Sequence, residues 1–249
     1  MNDTTITLVT GANKGIGREI AGQLAALGHT VVIGARSAEN GEKTAAELRA
    51  TGADVAPVVL DVTDPASVAA AADTVEARYG RLDGLVNNAA IAMPPGTDQA
   101  SQLPRSIDLD TIRTVFDTNV FGVITVTSAV LPLLRRSPAP RIVNVSSRGG
   151  SLSFQADQET WGGDQPPINA GYSPSKSALT ALTLQYARDL QPDGFLVNAV
   201  CPGFVATDLN GHAGHRTPAE GAAAAVRMAT LPADGPTGTF SDDDGPVPW

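Results

Sequence analysis

The sequence is poor in several residue types that often carry function. It contains one cysteine, Cys201, so no disulfide can form within the chain, and its apolar neighbourhood indicates a buried structural thiol. The three histidines, His29, His212 and His215, form no ligand set with carboxylates or cysteine, so we expect no metal site. Aromatic residues make up 4% of the chain, which leaves Ala, Val and Leu to fill the core.

Positive charge and long apolar runs are also scarce. Seventeen Lys and Arg residues against 26 Asp and Glu residues give a net charge of −9. This balance argues against nucleic acid or an anionic membrane surface as the main partner. No stretch reaches the roughly 18 apolar residues of a membrane-spanning helix, and the first residues lack the pattern of a signal peptide. We therefore expect a cytoplasmic protein with neither nucleic acid nor membrane as partner.

Short β-rich runs alternate with longer helical patterns along the chain. Apolar strands separated by helices predict an α/β fold in which helices cover both faces of a parallel sheet. A length of 249 residues suits one such domain. The predicted strands are residues 6–10, 30–35, 55–60, 82–86, 141–145, 195–200 and 237–240, and the predicted helices are 16–27, 39–51, 65–79, 108–136, 172–190 and 218–231.

A glycine-rich turn follows the first predicted strand and opens a helix. Its glycines have the spacing Gly-x-x-x-Gly-x-Gly. Glycine lets the backbone turn sharply and approach a pyrophosphate at the positive end of the next helix. The turn therefore predicts a dinucleotide site, with a tight connection that binds nothing as the alternative. The predicted contacts are Gly11, Asn13, Lys14, Gly15, Ile16 and Gly17.

The end of the second strand indicates which dinucleotide binds. An acidic residue there suits the ribose diol of NAD, whereas a basic residue suits the 2′-phosphate of NADP. Here Ala35 is followed by Arg36, and Lys14 lies in the glycine turn. Two cations without a carboxylate favour NADP(H) over NAD(H). An exposed arginine in a loop is the alternative.

Tyr172 and Lys176 are the candidate chemical pair. They are four residues apart, so on a helix both side chains lie on one face. A neighbouring ammonium stabilises a phenolate, lowers the phenol pKa, and lets the tyrosine exchange a proton with an alcohol or carbonyl oxygen. Pro174 is compatible with a helix that begins here. Because the motif alone is common, a chance pair on a helix face is the alternative.

Several motifs in order resemble one family. They are Thr10 to Gly17, Asn87-Asn88-Ala89-Ala90, Asn119, Ser146-Ser147, Tyr172 to Lys176, and Pro202-Gly203-Phe204-Val205-Ala206-Thr207. Together they resemble the short-chain dehydrogenase/reductase superfamily from about Ile6 to the C-terminus. The Asn13-Lys14 pair and the long gap before Tyr172 are similar to the carbonyl-reductase-like branch, which generally uses NADPH. The resemblance implies a single Rossmann domain over residues 1–249, doubly wound, with about seven parallel strands.

The resemblance also implies individual roles. Ser147 would hydrogen-bond the substrate oxygen, Tyr172 would transfer the proton, and Lys176 would hold the nicotinamide ribose and lower the tyrosine pKa. Asn119 would help to keep a water in the proton relay. Further implied cofactor contacts are Asp61 and Val62 at the adenine, Asn88 near the adenine-side ribose, and Val205 and Thr207 at the nicotinamide amide.

Two departures from the family pattern stand out. Ala90 occupies the last position of the Asn-Asn-Ala-Gly motif, which adds one methyl group. The connection between Ser147 and Tyr172 is longer than in members with a minimal connection, by an insert at about residues 151–170. This insert is either a solvated surface loop or a roof over the substrate cleft, with Trp161 or Phe154 as an apolar wall. Such inserts cover a face used for tetramer assembly, so a monomer or homodimer is favoured over a tetramer.

The sequence thus predicts an NADP(H)-dependent oxidoreductase that reduces a ketone or aldehyde to an alcohol, reversibly, with a small carbonyl or alcohol molecule as substrate. Two alternatives stay open. One is an NAD-linked secondary-alcohol dehydrogenase, and the other is a non-catalytic nucleotide-sensing regulator on the same fold. The intact set of Ser147, Tyr172, Lys176 and Asn119 argues against the sensor, which has no use for a proton relay.

Overall fold

A computed structural model describes residues 4–160 and 168–249. Seven strands within this part form one parallel sheet in the order β3-β2-β1-β4-β5-β6-β7. The strands are β1 (Ile6–Thr10), β2 (Thr30–Ala35), β3 (Val55–Val59), β4 (Gly84–Asn87), β5 (Arg141–Val145), β6 (Leu196–Val200) and β7 (Phe240–Ser241). The helices are α1 (Gly15–Ala26), α2 (Ala38–Arg49), α3 (Pro65–Tyr79), α4 (Leu109–Phe116), α5 (Gly122–Leu134), α6 (Leu152–Ala156), α7 (Tyr172–Leu190) and α8 (Pro218–Ala229).

The strand order places the reversal point between β1 and β4. β1 pairs with β2 on one side and with β4 on the other, with Val9 opposite Val86. In open α/β sheets, ligands bind outside the carboxyl ends of the strands at such a reversal. The doubly wound Rossmann fold of about seven parallel strands is confirmed. Its topology predicts a ligand site at the ends of β1 and β4.

Alternate residues of each strand feed two hydrophobic cores, one on each face of the sheet. Leu8 of β1 belongs to the core under α3, α5 and α7, and Val9 belongs to the core under α1, α2 and α8. This alternation follows from the two-residue period of a strand. Ala, Val and Leu dominate both cores, as the shortage of aromatic residues predicts, and Phe195 is the largest fully buried side chain in the described part of the chain.

Two predicted strands are displaced in the structure. β4 begins at Gly84 rather than Leu82, because the Leu82 N–H donates to a carbonyl of α5 before the strand pairing starts. β7 is shorter and later than predicted. The Thr237 hydroxyl accepts the Val197 N–H, the Gly238 N–H donates to the Val197 carbonyl, and paired strand residues begin only at Phe240.

The region predicted as one helix at 108–136 is continuous but contains a change of pitch. α4 and α5 are joined by a π-helical turn at Asp117–Phe121. By length and composition alone, Leu109–Leu134 could cross a membrane, a property that core helices of soluble proteins share. Here Val126 and Val130 of α5 are buried in the core against the sheet. In this fold the helix therefore packs as part of the hydrophobic core.

The C-terminal tail folds back over β7. The Val247 N–H donates to the Phe240 carbonyl, and the Trp249 ring lies 5.8 Å from the Phe240 ring. The Trp249 carbonyl accepts the Ser153 N–H at 2.8 Å, which joins the tail to α6. An edge strand with open backbone groups invites pairing with another chain. The tail therefore covers β7, the outermost strand on this side of the sheet.

Candidate active site

The glycine turn after β1 packs tightly against the end of β4. Gly11 and Gly15 have positive φ angles of 62° and 55°, which favour glycine. A Cβ on Gly17 would lie 2.5 Å from the Gly11 carbonyl oxygen and 2.5 Å from Nδ2 of Asn88. That amide donates to the Thr10 carbonyl at 2.9 Å. Asn88 therefore fixes the turn, and no larger residue fits at Gly17.

The N-terminal end of α1 is left open by this turn. Lys14 occupies the cap position without a side-chain cap, and the first turn contains no acidic residue. The first N–H groups of a helix have no partners within the helix and carry a partial positive charge. Thr207 lies beside them, because a Cβ on Gly15 would be 3.4 Å from its methyl carbon. The charge of this helix end suits a pyrophosphate.

The two cations proposed for the 2′-phosphate are not equivalent. Lys14 Nζ lies 2.5 Å from Oδ2 of Asp208, whose other oxygen is 2.9 Å from Nε2 of His212. Hydrogen bonding to Lys14, more than that to His212, lowers the pKa of Asp208. Arg36, directly after β2, is exposed and makes no hydrogen bond or ion pair with the described residues. Arg36 is thus available to an anion, and Lys14 is already paired.

Asp61 and Val62 lie just past the end of β3. The Asp61 carboxylate accepts hydrogen bonds from the N–H and hydroxyl of Thr63 through one oxygen. Val62 is buried against Gly122, where a Cβ would approach within 2.9 Å of its side chain. Both predicted adenine contacts therefore lie at the carboxyl edge of the sheet, on the same side as Arg36.

α7 begins at Tyr172, as predicted, and Pro174 lies in its first turn. Lys176 Nζ lies 5.8 Å from the centre of the Tyr172 ring, which confirms that the two side chains share a helix face. Lys176 is 3% exposed, and its ammonium donates to the Val145 carbonyl at the end of β5 at 2.8 Å. The sheet thereby fixes the position of the lysine.

Burial shifts the acidities of both members of this pair. It raises the pKa of Tyr172 to about 12, against a smaller lowering by a hydrogen bond with Ser147. The implied lowering of the tyrosine pKa by Lys176 stays a prediction. Burial also lowers the pKa of Lys176 to about 8. Loss of water penalises the charged form of each group. Tyr172 is therefore a neutral phenol at physiological pH.

Ser147 reaches Tyr172 through a short turn that follows β5. Its hydroxyl accepts the Gly149 N–H at 3.1 Å. The turn packs closely on α7, because a Cβ on Gly150 would lie 2.7 Å from the carbonyl carbon of Lys176. The next N–H, of Arg148, donates to the Cys201 sulfur at 3.2 Å.

Cys201 is a buried thiol, as predicted. It is 3% exposed and lies at the end of β6, where it accepts the N–H groups of Arg148 and Gly203. Burial raises the pKa of its thiol. A protonated buried thiol has a structural role, here to hold the turn after Ser147 against the chain that follows β6.

Asn119 lies in the π-helical turn and is fully buried. Its Oδ1 accepts the Ile91 N–H at 2.9 Å, and its Nδ2 donates to the Ile91 carbonyl at 2.9 Å and to the Ser175 hydroxyl at 3.0 Å. Through these bonds its side-chain amide joins the chain after β4 to α7. The implied role of Asn119 in keeping a water stays a prediction.

Sequence reasoning missed two polar residues that support Tyr172. Ser175 lies inside the predicted motif, and its hydroxyl donates to the Tyr172 carbonyl at 2.7 Å. Gln102, 70 residues earlier, accepts the Tyr172 N–H at 3.2 Å. Ser175 could have been found from its spacing three residues after Tyr172. Gln102 carries no such signal, because its neighbours read as a polar loop.

The start of the insert lies against the Ser147 turn. Ser151 is fully buried and caps α6 by accepting the Phe154 N–H at 3.0 Å. Gln155 of α6 donates to the Gly149 carbonyl at 2.7 Å. Trp161, proposed as a wall of the substrate cleft, lies outside the described residues. The roof over the cleft remains a prediction.

The fold and the site together define the class of protein. A doubly wound sheet, an open glycine turn and a Ser-Tyr-Lys group at the carboxyl edge are the features of a dehydrogenase. A family model described as short chain dehydrogenase matches residues 5–217. The chain belongs to this family of oxidoreductases, in its carbonyl-reductase-like part.

Similar proteins cover nearly the whole chain. Short-chain dehydrogenase/reductase 1 of Saponaria officinalis is 36% identical in an alignment that covers 94% of this chain and 92% of the relative. Carbonyl reductase (NADPH) 1 of Mus musculus is 33% identical in an alignment that covers 98% of each chain. The solved structure of salutaridine reductase from Papaver somniferum has a TM-score of 0.81 and 32% identity, and covers 96% of this chain and 99% of that one.

Proposed function

We propose that this chain reduces a ketone or aldehyde to an alcohol with NADPH. The observation that carries the proposal is the placement of Tyr172 and Lys176 on one face of α7, with Lys176 Nζ 5.8 Å from the centre of the Tyr172 ring, at the edge of the sheet where the open glycine turn lies. Relatives named carbonyl reductase (NADPH) 1 and salutaridine reductase support a carbonyl substrate.

The described residues fit NADPH along one edge of the sheet. The open end of α1 suits the pyrophosphate, and the exposed Arg36 suits the 2′-phosphate. Asp61, Val62 and Asn88 would contact the adenosine half, and Val205 and Thr207 would contact the nicotinamide half. When bound, this cofactor supplies the hydride for reduction.

Tyr172 holds and delivers the proton. With a pKa of about 12, its phenol stays protonated at physiological pH and can donate to the substrate oxygen as negative charge grows there. The Ser147 hydroxyl lies beside the phenol and can donate a second hydrogen bond to that oxygen. The Lys176 ammonium, held by Val145, favours the phenolate that the step leaves behind.

The same acidities favour reduction over oxidation. Alcohol oxidation begins with proton removal by a tyrosinate, and burial of Tyr172 disfavours that form. The reverse reaction, as a secondary-alcohol dehydrogenase, would therefore need alkaline pH. An NAD-linked dehydrogenase stays the rival within enzymes, and kinetics with both cofactors separate the two.

The fold also bears on domain organisation and assembly. We infer one dinucleotide-binding domain over residues 1–249, because the single sheet combines strands from both ends of the chain. A monomer or homodimer, rather than a tetramer, agrees with the insert and with the tail that covers β7. A small-molecule substrate, a cytoplasmic location and the lack of nucleic-acid and membrane partners remain predictions.

A carbonyl panel with the purified protein tests the function. We expect NADPH oxidation with some ketones or aldehydes, followed by absorbance. Tyr172→Phe should retain NADPH affinity and lose roughly 100- to 10,000-fold in kcat, because it removes the proton donor. The matched control is Tyr186→Phe, on the same helix, where the tyrosine is partly buried against the core.

Two outcomes would contradict the proposal. Near-normal turnover of Tyr172→Phe would remove Tyr172 from the mechanism. Tight NADPH binding by the wild-type protein without reduction of any panel member would instead support a nucleotide-sensing regulator.

A further inference from the structure

Gln102 is a buried polar side chain in the loop between β4 and α4. It ends a short 3-10 turn, Gln99–Gln102, and is 2% exposed, among the largest fully buried side chains described. A buried amide destabilises the fold unless its donors and acceptors are bonded. The partners of Gln102 therefore show what this residue contributes.

The hydrogen bonds of Gln102 join three separate segments of the chain. Its Oε1 accepts the Tyr172 N–H at 3.2 Å, and its Nε2 donates to the Ala92 carbonyl at 2.9 Å. Its own carbonyl accepts the Ala170 N–H at 2.6 Å. One residue thus connects the chain after β4, the end of the insert and the first residue of α7.

The Tyr172 contact lies at the start of α7. Gly171 occupies the cap position and has no side chain to satisfy the first N–H groups. Gln102 supplies the acceptor for the Tyr172 N–H from another part of the chain, and Oδ1 of Asn169 accepts the next N–H, that of Ser173, at 2.7 Å. A Cβ on Gly171 would lie 2.5 Å from Oε1 of Gln102, so glycine is what allows the approach. Gln102 therefore caps α7 at Tyr172.

The carbonyl of Tyr172 is tied to the same neighbouring segment. It accepts the Ser175 hydroxyl at 2.7 Å, and that hydroxyl accepts Nδ2 of Asn119. Asn119 in turn bonds both backbone groups of Ile91. Hydrogen bonds connect the N–H of Tyr172 to Ala92 through Gln102. They connect the carbonyl of Tyr172 to Ile91 through the Ser175 hydroxyl and Asn119. Two amides thus hold one residue of α7 against two consecutive residues after β4.

We propose that Gln102 is a positioning residue for Tyr172, which fixes the start of α7 so that the phenol meets the substrate oxygen. The inference rests on the proposed carbonyl reduction. Asn119 holds the carbonyl side of Tyr172, and Gln102 holds the N–H side. Displacement of a reacting group by about 1 Å can lower a rate roughly a hundredfold. Loss of the hydrogen bond between Gln102 and Tyr172 is therefore expected to slow the chemical step.

The test compares Gln102→Met with Gln99→Ala. Methionine keeps the length of the side chain and removes both hydrogen bonds. Gln99 lies in the same 3-10 turn, is exposed, and donates to the Ile168 carbonyl rather than to α7. We expect Gln102→Met to lower kcat at least tenfold, with the NADPH dissociation constant within about twofold of wild type. Gln99→Ala should match wild type.

Gln102→Glu is the rescue variant, because its carboxyl group can still accept the Tyr172 N–H. It should recover part of the kcat lost in Gln102→Met. Hydrogen exchange provides a readout that needs no substrate. The peptide containing Tyr172 should exchange faster in Gln102→Met than in wild type or Gln99→Ala.

The outcomes separate this inference from the proposed function. A wild-type protein that reduces no carbonyl contradicts the proposed function. In that case, faster exchange at Tyr172 in Gln102→Met, but not in Gln99→Ala, still supports the contact between Gln102 and the start of α7. An active wild type with unchanged kcat and unchanged exchange in Gln102→Met overturns the positioning role. An equal fall in kcat and NADPH affinity, or an equal effect of Gln99→Ala, also overturns it. If Gln102→Met does not fold, Gln102→Ala, which also removes both side-chain hydrogen bonds, decides by the same measurements.

Discussion

Cofactor preference in this protein should depend mainly on Arg36. The residue follows β2, is exposed, and has no described hydrogen bond or ion pair, so its guanidinium is free to meet a 2′-phosphate. Lys14, the other cation, is held at 2.5 Å by Asp208. Since that carboxylate already compensates the lysine charge, removal of Arg36 should remove most of the discrimination between NADPH and NADH.

The magnitude follows from the exposure of Arg36. A hydrogen bond to a charged group contributes about 1.5–3 kcal/mol, and solvent screening places an exposed pair near the lower end. Loss of about 1.5 kcal/mol corresponds to roughly a tenfold fall in kcat/KM for NADPH. Arg36→Asp also adds repulsion between a carboxylate and the phosphate. We therefore expect the ratio of kcat/KM for NADPH to that for NADH to fall roughly tenfold in Arg36→Ala and a hundredfold in Arg36→Asp.

Steady-state kinetics with both cofactors measure this ratio. The control is Arg188→Asp, which makes the same change in net charge at the far end of α7, on an exposed residue. An unchanged ratio in Arg36→Asp would reject the assignment of Arg36 to the 2′-phosphate. An equal change in Arg188→Asp would show that the overall charge of the protein, rather than this site, determines the preference.

Two further measurements concern acidity and assembly. kcat/KM for NADPH should fall as pH rises through about 8, because Lys176 loses its charge there, while Tyr172, with a pKa of about 12, stays protonated. A profile that stays flat from about pH 7 to pH 10 would contradict this role of the lysine charge. In sedimentation at micromolar concentration, the 25.5 kDa chain should behave as a monomer or dimer, because the tail covers β7. A stable tetramer would show that another surface assembles the protein.

The sheet and most of its helices were predictable because local patterns determine them. α3 and α7 begin and end where the sequence predicts, since Asp64 and Pro65 mark one start and Gly80 marks one end. β7 was misplaced because a two-residue strand at a sheet edge has too little periodicity to show its register.

The candidate site was predictable to a different degree for each residue. Tyr172 and Lys176 share a helix face because of their spacing, which any helix reproduces. Their acidities were not predictable, because desolvation depends on what the rest of the chain packs around them. Asn119 was found through a family motif, but its bonds to Ile91 depend on a π-helical turn that no local pattern announced.

By itself, the sequence determined the alternation of strands and helices, the glycine turn and the spacing of the catalytic motif. These features depend on backbone freedom, side-chain periodicity and short-range contacts, all of which are local. Only the tertiary structure decided that Gln102 accepts the Tyr172 N–H and that burial raises the pKa of the Tyr172 phenol. Both depend on segments about 70 residues apart meeting at one edge of the sheet, and hydrogen bonding and desolvation act only between groups that the fold brings together.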